Sequence, residues 1–264
     1  MTLSAQLANL FNQEPIESPQ HRLQVGLAAT ADEVRAAQRL RYRVFVEEMG
    51  ARPDCAEPGI ESDRFDPFCE HLIVRRTDTG EVVGCYRILT DTQSDNAGGF
   101  YSETEFDLTR VLALPGRFME VGRTCVHPQY RNGATISLLW NGIGRFVMMN
   151  NIDYVMGCAS VPLTTGTEKA LMIYRRLEKA HLAPESWRTF PKVPLPKIQL
   201  TGTEETPEMP ALLKGYLRVG AKICGEPAWD PGFNCADFFI LLGTDAISRR
   251  YQRHFFSGHE AARR

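Results

Sequence analysis

Apolar positions along this chain recur in two rhythms, and the switches between them outline its elements. LQVGLAAT (23–30) is a strand candidate. Thr30 and Glu33 stand at capping-box spacing, and the helix they open runs to about Glu48, with Val34, Ala37, Val44 and Phe45 on its apolar stripe. Residues 51–69 read as a loop rich in Pro, Gly and Asp. EHLIVRRT and EVVGCYRILT are two strands joined by a tight Asp78-Thr79-Gly80 turn. FYSETEFDLT is a short helix or irregular segment, and the strand FMEVGRTCV (118–126) follows. ATISLLWNGIGRFVMMN is an amphipathic helix, IDYVMGCASVP a strand and GTEKALMIYRRLEKAHL a helix. Residues 183–209 are Pro-rich and irregular. PALLKGYLRVGAKICG is then a helix, CADFFILL a strand and AISRRYQRHFF a basic terminal helix. This order predicts an α/β fold, a mixed twisted central sheet with helices on both faces. It divides into a mobile or loosely docked arm (1–22), one domain (23–245) and a basic tail (246–264).

Charges break the pattern in an informative way. Arg41 falls on the apolar stripe of its helix, Arg87 lies inside a strand beside Tyr86 and Ile88, and Glu120 and Arg123 share another strand. An unpaired buried charge costs several kcal/mol or more, roughly, so each needs a partner. Asp63 and Asp66 are available, and with Glu120 they make three carboxylates for three arginines. In a regular strand Glu120 and Arg123 would face opposite ways; Gly122 between them permits a bulge that turns both toward one cleft. On spacing alone, a structural ion-pair network and a reaction site stand about equal.

Composition narrows the class. The chain has 264 residues, a net charge of −2 and 43% hydrophobic residues, so it is a globular chain without the basic excess of a nucleic-acid binder. The first residues lack the basic start and apolar core of a secretory signal, and no apolar run approaches the ~20 residues of a membrane span. Seven scattered cysteines without a Cys-x-x-Cys argue against a disulfide framework and for a reducing cytoplasm. No cluster has metal-ligand spacing, so no metal is expected.

The charged positions also carry a resemblance. Arg41 and Phe45 in RYRVF, Asp63 and Asp66 in DRFD, Arg87 in GCYRIL and Glu120 with Arg123 in EVGR resemble, in order and approximate gaps, the signature of acyl-homoserine-lactone synthases. Those enzymes have a GNAT-like N-acyltransferase fold and take their acyl chain from acyl carrier protein. The segment 210–242, PALLKGYLRVGAKICGEPAWDPGFNCADFFILL, with GCASVP (157–162), resembles the hemolysin-like N-acyltransferases. Their best-known group makes lyso-ornithine lipid by acylating the α-amine of L-ornithine. Together the two likenesses cover about residues 23–243.

The resemblance implies an acyl-carrier-protein-dependent acyltransferase, with a 3-hydroxyacyl chain on phosphopantetheine as co-substrate and no further cofactor. It implies two central strands, 118–126 and 152–160, parting around the acyl thioester. A strand N–H near Thr124 or Cys125 would bond the thioester oxygen, and Glu120 is the first candidate to take the amine's proton. Arg41, Arg87 or Arg123 would hold the substrate carboxylate. Asp63 or Asp66 would hold ornithine's distal ammonium or simply tether the loop; Phe45 completes the acceptor side. The donor would lie along Val126, Arg131, Asn132, Gly133 and Ala134. There QYRNGATIS departs from the usual pyrophosphate loop, which fits a carrier-protein donor better than coenzyme A. A helix N-terminus there remains an anion site.

Other features have plainer readings. Cys125 and His127 read as a core thiol and a turn histidine rather than a nucleophilic pair. Tyr174 has the spacing of a thiolate-protonating tyrosine, though a packed helix Tyr is favoured. The basic stretch Arg175, Arg176, Lys179, Arg188, Lys192 and Lys197 is either a carrier docking face or a solvated surface. The tail SRRYQRHFF reads as a polar tail ahead of a peripheral contact with the inner face of the cytoplasmic membrane. Acylation of another amino acid such as glycine, lactone synthesis, and non-catalytic lipid or membrane binding are the competing functions.

Overall fold

The computed structural model describes residues 3–12, 16–18, 22–196, 198 and 207–246. Its helices are α1 (Leu3–Asn12), α2 (Ala31–Arg41), α3 (Asp91–Ala97), α4 (Thr109–Leu112), α5 (Gly133–Asn150), α6 (Glu168–His181) and α7 (Ala211–Val219). Its strands are β1 (Ile16–Ser18), β2 (Leu23–Leu27), β3 (Glu70–Arg76), β4 (Val82–Thr90), β5 (Phe106–Asp107), β6 (Phe118–Val126), β7 (Tyr154–Pro162), β8 (Phe190–Pro191), β9 (Lys222–Ile223), β10 (Ala228–Asp230) and β11 (Cys235–Gly243). Nine strands form one sheet in the order β1-β2-β3-β4-β6-β7-β11-β10, with β9 also on β11; β5 and β8 pair separately.

Period-two alternation divides the sheet into two buried faces. Leu72, Val74, Tyr86 and Val126 pack under α5, while their neighbours Ile73, Cys85 and Cys125 pack against Ala37, Leu40 and Val44 of the α2 segment. At the other end Ala159, Val161, Phe238 and Ile240 meet α6 and α7, and Met156, Phe239 and Leu241 face the aromatic cluster of Phe65, Phe100 and Phe106. The expected mixed sheet with helices on both faces is present.

Pairing in the sheet is antiparallel except between β6 and β7, and that parallel pairing lasts only three residues, Phe118↔Tyr154 to Glu120↔Met156. Beyond it the strands part. β6 stays on β4 through Val126, while β7 follows β11 from Tyr154 to Pro162. Gly157 marks the parting, where a Cβ would sit 2.2 Å from the Val121 carbonyl oxygen. The gap is the site's foundation.

Three local expectations change. The N-terminal segment docks as part of the domain: Ala8 and Phe11 are buried, the Asn12 side chain bonds both N–H and C=O of Leu27, and β1 pairs with β2. Its apolar side chains find a sheet edge to cover, so it does not behave as an arm. The Thr30 hydroxyl accepts from the Glu33 N–H as expected, but Glu33 reaches back to the Ala29 N–H rather than to Thr30. The helix does reach Glu48, but as a π-helix over Tyr42–Glu48; such wide turns recur at functional sites, and this one presents Phe45 and Glu48 to the cavity. The basic tail expected as a helix, and Lys197, lie outside the described residues.

Candidate active site

Arg41, Arg87 and Arg123 meet three carboxylates in a closed ring. Arg41 binds Asp66 with both terminal nitrogens (2.7 and 3.0 Å) and Glu61 with Nε. Arg87 Nη1 bridges Asp66 (2.8 Å) and Asp63 (2.6 Å). Arg123 closes the circuit, Nε to Glu61 and Nη2 to Asp63, each 3.0 Å. Every arginine holds two carboxylates and every carboxylate two arginines, so the six charges cancel. Burial opposes ionisation of Asp66, yet Arg41 and Arg87 outweigh it and hold its carboxyl well below the usual range. Burial likewise opposes the Arg41 charge, and Glu61 and Asp66 overcome it.

The ring's third carboxylate is Glu61, where sequence reasoning had placed Glu120. Glu120 instead accepts from the backbone N–H groups of Tyr101 (2.7 Å) and Ser102 (2.8 Å) and from the Ser102 hydroxyl. It anchors the short 3-10 turn Tyr101–Thr104 to β6. Burial pushes its carboxyl up despite these donors. The bulge expected at Gly122 is set by Arg123 itself. Gly122 and Cys125 pair with Arg87 and Cys85, so Arg123 and Thr124 together oppose Tyr86, and Arg123 takes φ 49°. The ion pairs, with Tyr101 and Phe233 stacked 4.5 and 4.6 Å from its guanidinium, hold it in that left-handed conformation.

These groups wall a cavity of about 510 Å³ in the gap between β6 and β7. Phe45, Arg87, Glu120 and Arg123, expected on the acceptor side, line it. Thr124, Cys125, Val126 and Arg131 line it along β6. Arg41, Asp63 and Asp66 stand behind that wall as ring members. A second, apolar pocket of about 90 Å³ opens behind the gap between α5 and α7, and Val121 and Tyr216 line both spaces. Tyr216, which the sequence did not mark, shares a 2.7 Å hydroxyl contact with Tyr86 and stacks on Trp140 of α5.

Of the residues expected along the donor, Val126 and Arg131 line the cavity, and Asn132, Gly133 and Ala134 do not. The Asn132 side chain accepts from the Ala134 and Thr135 N–H groups (3.1 and 3.2 Å), so α5 caps its own N-terminus and the anion site there is occupied from within. Arg131 makes a bidentate pair with Glu48 (2.5 and 2.6 Å). Gly133 and Ala134 begin α5 and do not line the cavity. Cys125 contacts Cys85 at 3.5 Å, and burial pushes its thiol up, as suits a core residue. His127 caps a 3-10 turn and meets Arg43 at 2.7 Å. Tyr174 bonds Glu178 on α6, away from the cavity.

A second acidic group was also missed. Asp230 and Asp237 line the far wall of the cavity, and Glu105 stands beside Asp237. Carboxylate oxygens of Glu105 and Asp237 and the Cys158 sulfur lie within 4.8 Å of one another, as do those of Asp230, Asp237 and the Cys235 sulfur. Asp237 stood in the apolar run CADFFILL, a charge in a buried strand like Arg87, and that signal was present in the sequence.

A mixed sheet whose single parallel pair parts around a cavity that charged side chains border, with an apolar pocket behind, defines a GNAT-type acyltransferase, and the acetyltransferase (GNAT) domain profile matches residues 40–141. The chain belongs to the L-ornithine Nα-acyltransferase family. It is 38% identical over 257 residues to the L-ornithine N(alpha)-acyltransferase of Brucella abortus, covering 91% of this chain and 90% of that protein. It is 37% identical to the protein of the same name from Rhodobacter capsulatus, covering 88% and 94%. Among solved structures the fold is shared with FeeM, an N-acyl amino acid synthase from uncultured soil microbes (TM-score 0.54, 13% identity, 90% of this chain and 98% of that one). The acyl-homoserine-lactone synthase LasI shares it too (0.50, 14%, 89% and 94%). The chain is therefore an enzyme, and the non-catalytic lipid-binding reading falls away. No helix among the described residues is long and apolar enough to cross a membrane.

Proposed function

We propose that this enzyme transfers a 3-hydroxyacyl chain from the phosphopantetheine thioester of acyl carrier protein to the α-amine of L-ornithine, releasing lyso-ornithine lipid and the carrier thiol. The carrying observation is the match, over 88–91% of this chain and 90–94% of theirs, to relatives named L-ornithine Nα-acyltransferase. The acyl chain enters the apolar pocket between α5 and α7 through the gap beside Val121 and Tyr216, where each buried methylene contributes about 0.8 kcal/mol. The thioester carbonyl sits against the free side of β6, and a strand N–H near Thr124 or Cys125 meets the developing oxyanion. The neutral amine attacks, the C–N bond forms and the C–S bond breaks. Glu120 takes the amine's proton through a water, the Tyr216 hydroxyl gives its proton to the leaving sulfur, and the proton on Glu120 passes back to Tyr216 through solvent after the thiol departs. The ring is neutral as a whole, and Arg87 and Arg123 meet the α-carboxylate through guanidinium N–H groups beyond those that bond Asp63, Asp66 and Glu61.

A carrier-protein donor suits the self-capped α5, which offers no open cradle to a nucleotide pyrophosphate. It also suits the exposed Arg175, Arg176 and Lys179 of α6, since carrier proteins are acidic. The amphiphilic product fits release at the inner face of the cytoplasmic membrane. The test incubates the enzyme with 3-hydroxyacyl-carrier protein or the matching coenzyme A thioester, plus ornithine, glycine or each other amino acid, and reads products by mass. Ornithine-dependent thiol release with the carrier donor is expected. A preference for another amine, or no release with any, rejects the proposal.

A further inference from the structure

Two sets of carboxylates face this cavity, and they differ in one respect. Asp63, Asp66 and Glu61 are each held by two arginines. Glu105, Asp230 and Asp237 have no Lys or Arg ion pair among the described residues. Their neighbours are thiols, hydroxyls and backbone: Cys158 Sγ lies 3.7 Å from Glu105 Oε2, Cys235 Sγ lies 3.5 Å from Asp237 Oδ1, Asp230 Oδ1 accepts from the N–H groups of Gly232 and Phe233, and the Tyr101 and Ser160 hydroxyls lie against Glu105 and Asp237. Glu105 Oε1 is buried without a hydrogen-bond partner. Asp237 is 3% exposed and borders the cavity.

Buried Asp237 and half-buried Glu105 and Asp230, gathered in one wall with no Lys or Arg paired to them, favour an arriving cation. Burial and then the Asp237 charge push the Glu105 carboxyl up to about 9, and burial with the Asp230 charge pushes the Asp237 carboxyl up against its hydrogen bonds to Ser160 and Glu105. Tyr101, Cys158, Ser160, Asp230 and Cys235 face Glu105 and Asp237 and supply no positive charge; Arg123, 4.5 Å from the Tyr101 ring, is held by Glu61 and Asp63.

We infer that Asp237, with Glu105 and Asp230, is the specificity site that receives the distal ammonium of a diamino-acid acceptor. This rests on the proposed function above and assigns its acceptor end. The ring aspartates expected from the sequence to fill this role are already neutralised. One hydroxyl and one thiol, Ser102 and Cys158, separate Glu120 from Glu105. An extended ornithine holds its two nitrogens about 6 Å apart, so an α-amine near Glu120 leaves the side-chain nitrogen to extend across the cavity toward the wall that carries Asp237.

The experiment compares ornithine with 2-aminopentanoate, the same carbon chain without the distal nitrogen, in the wild-type enzyme and in Asp237→Asn and Glu105→Gln. The wild type is expected to favour ornithine by about 100-fold or more in kcat/KM, because a site built for a charged group rejects the analogue that lacks it. In either variant that ratio should fall at least about tenfold, mostly through KM for ornithine. A wild type that uses both substrates equally well overturns the inference, whether or not the variants fold. So does a ratio that survives in folded variants, which would give the acids a structural or proton-transfer role. Activity lost to EDTA and restored by a divalent cation overturns it in favour of a metal. A wild type that acylates no ornithine fails the functional proposal instead, so the two failures are separate.

Discussion

Glu120 and Arg123 stand three residues apart on β6 and do not pair. The Glu120 carboxylate is taken by Tyr101 and Ser102 on one side of the cavity, and the Arg123 guanidinium by Glu61 and Asp63 on another. One strand thus anchors two different loops, and each anchor has its own consequence when cut.

Cutting the ring should be costly. Arg41→Met removes the guanidinium that Glu61 and Asp66 share and leaves two carboxylates under-compensated in the interior. A loss of about 3–5 kcal/mol is expected from urea denaturation. Pairing it with Glu61→Gln removes one charge of each sign, and this double variant should recover part of that loss, a coupling a double-mutant cycle reads directly.

Glu120→Gln keeps the shape of the side chain but not its acceptors. One amide oxygen serves Ser102, and the NH₂ group then faces the Tyr101 N–H. The 3-10 turn at Tyr101–Thr104 should loosen, costing about 1–3 kcal/mol, and acyl transfer should fall by about 10²-fold or more if this carboxylate takes the amine's proton. Stopped-flow single turnover separates these effects: a variant equally fast in chemistry removes Glu120 from proton transfer.

Val155 lines the apolar pocket behind the gap. Val155→Phe should shift the preferred donor to shorter acyl chains, by about 0.8 kcal/mol for each methylene excluded. Competition among carrier thioesters of graded length, read by product mass, gives the answer; an unmoved preference places the acyl chain elsewhere.

Burial pushes the His71 imidazole down to about 4, so the folded protein keeps it neutral where the unfolded chain binds a proton. A depressed pKa contributes stability above the unfolded value near 6.5 and loses it as pH falls toward 4. The window is worth about 3 kcal/mol. Glu105 and Asp237 act in the opposite sense. Their raised carboxyls stabilise below the ordinary carboxylate range and lose that contribution as pH rises. Relative to wild type, His71→Asn should therefore lose its relative disadvantage on going from pH 7 to pH 4.5, while Glu105→Gln should be relatively more stable at pH 8 than at pH 5. Urea midpoints at these pH values check both signs.

Much of this was legible in the sequence because a charge inside an apolar period is conspicuous. Arg41, Arg87 and Arg123 were found that way, and Asp63 and Asp66 through their motif. Glu61 was not, because it lies in a loop where no period exists to be broken. Asp237 did interrupt a buried strand and was legible in principle. Tyr216 was invisible, since a tyrosine on an amphipathic helix looks the same whether it packs or borders a cavity. The α1 segment was undervalued because ten residues cannot show what sheet edge awaits them; Phe11 and Asn12 find theirs only in the folded protein.

The closed circuit of Arg41, Asp66, Arg87, Asp63, Arg123 and Glu61 draws on α2, the long loop, β4 and β6. Lineages can abandon such an arrangement only by concerted steps, because any lone replacement strands two neighbours at once. Descendants of one ancestor should therefore inherit the six positions as a block, while the acids at the far wall stay free to vary with the amine each enzyme has come to use.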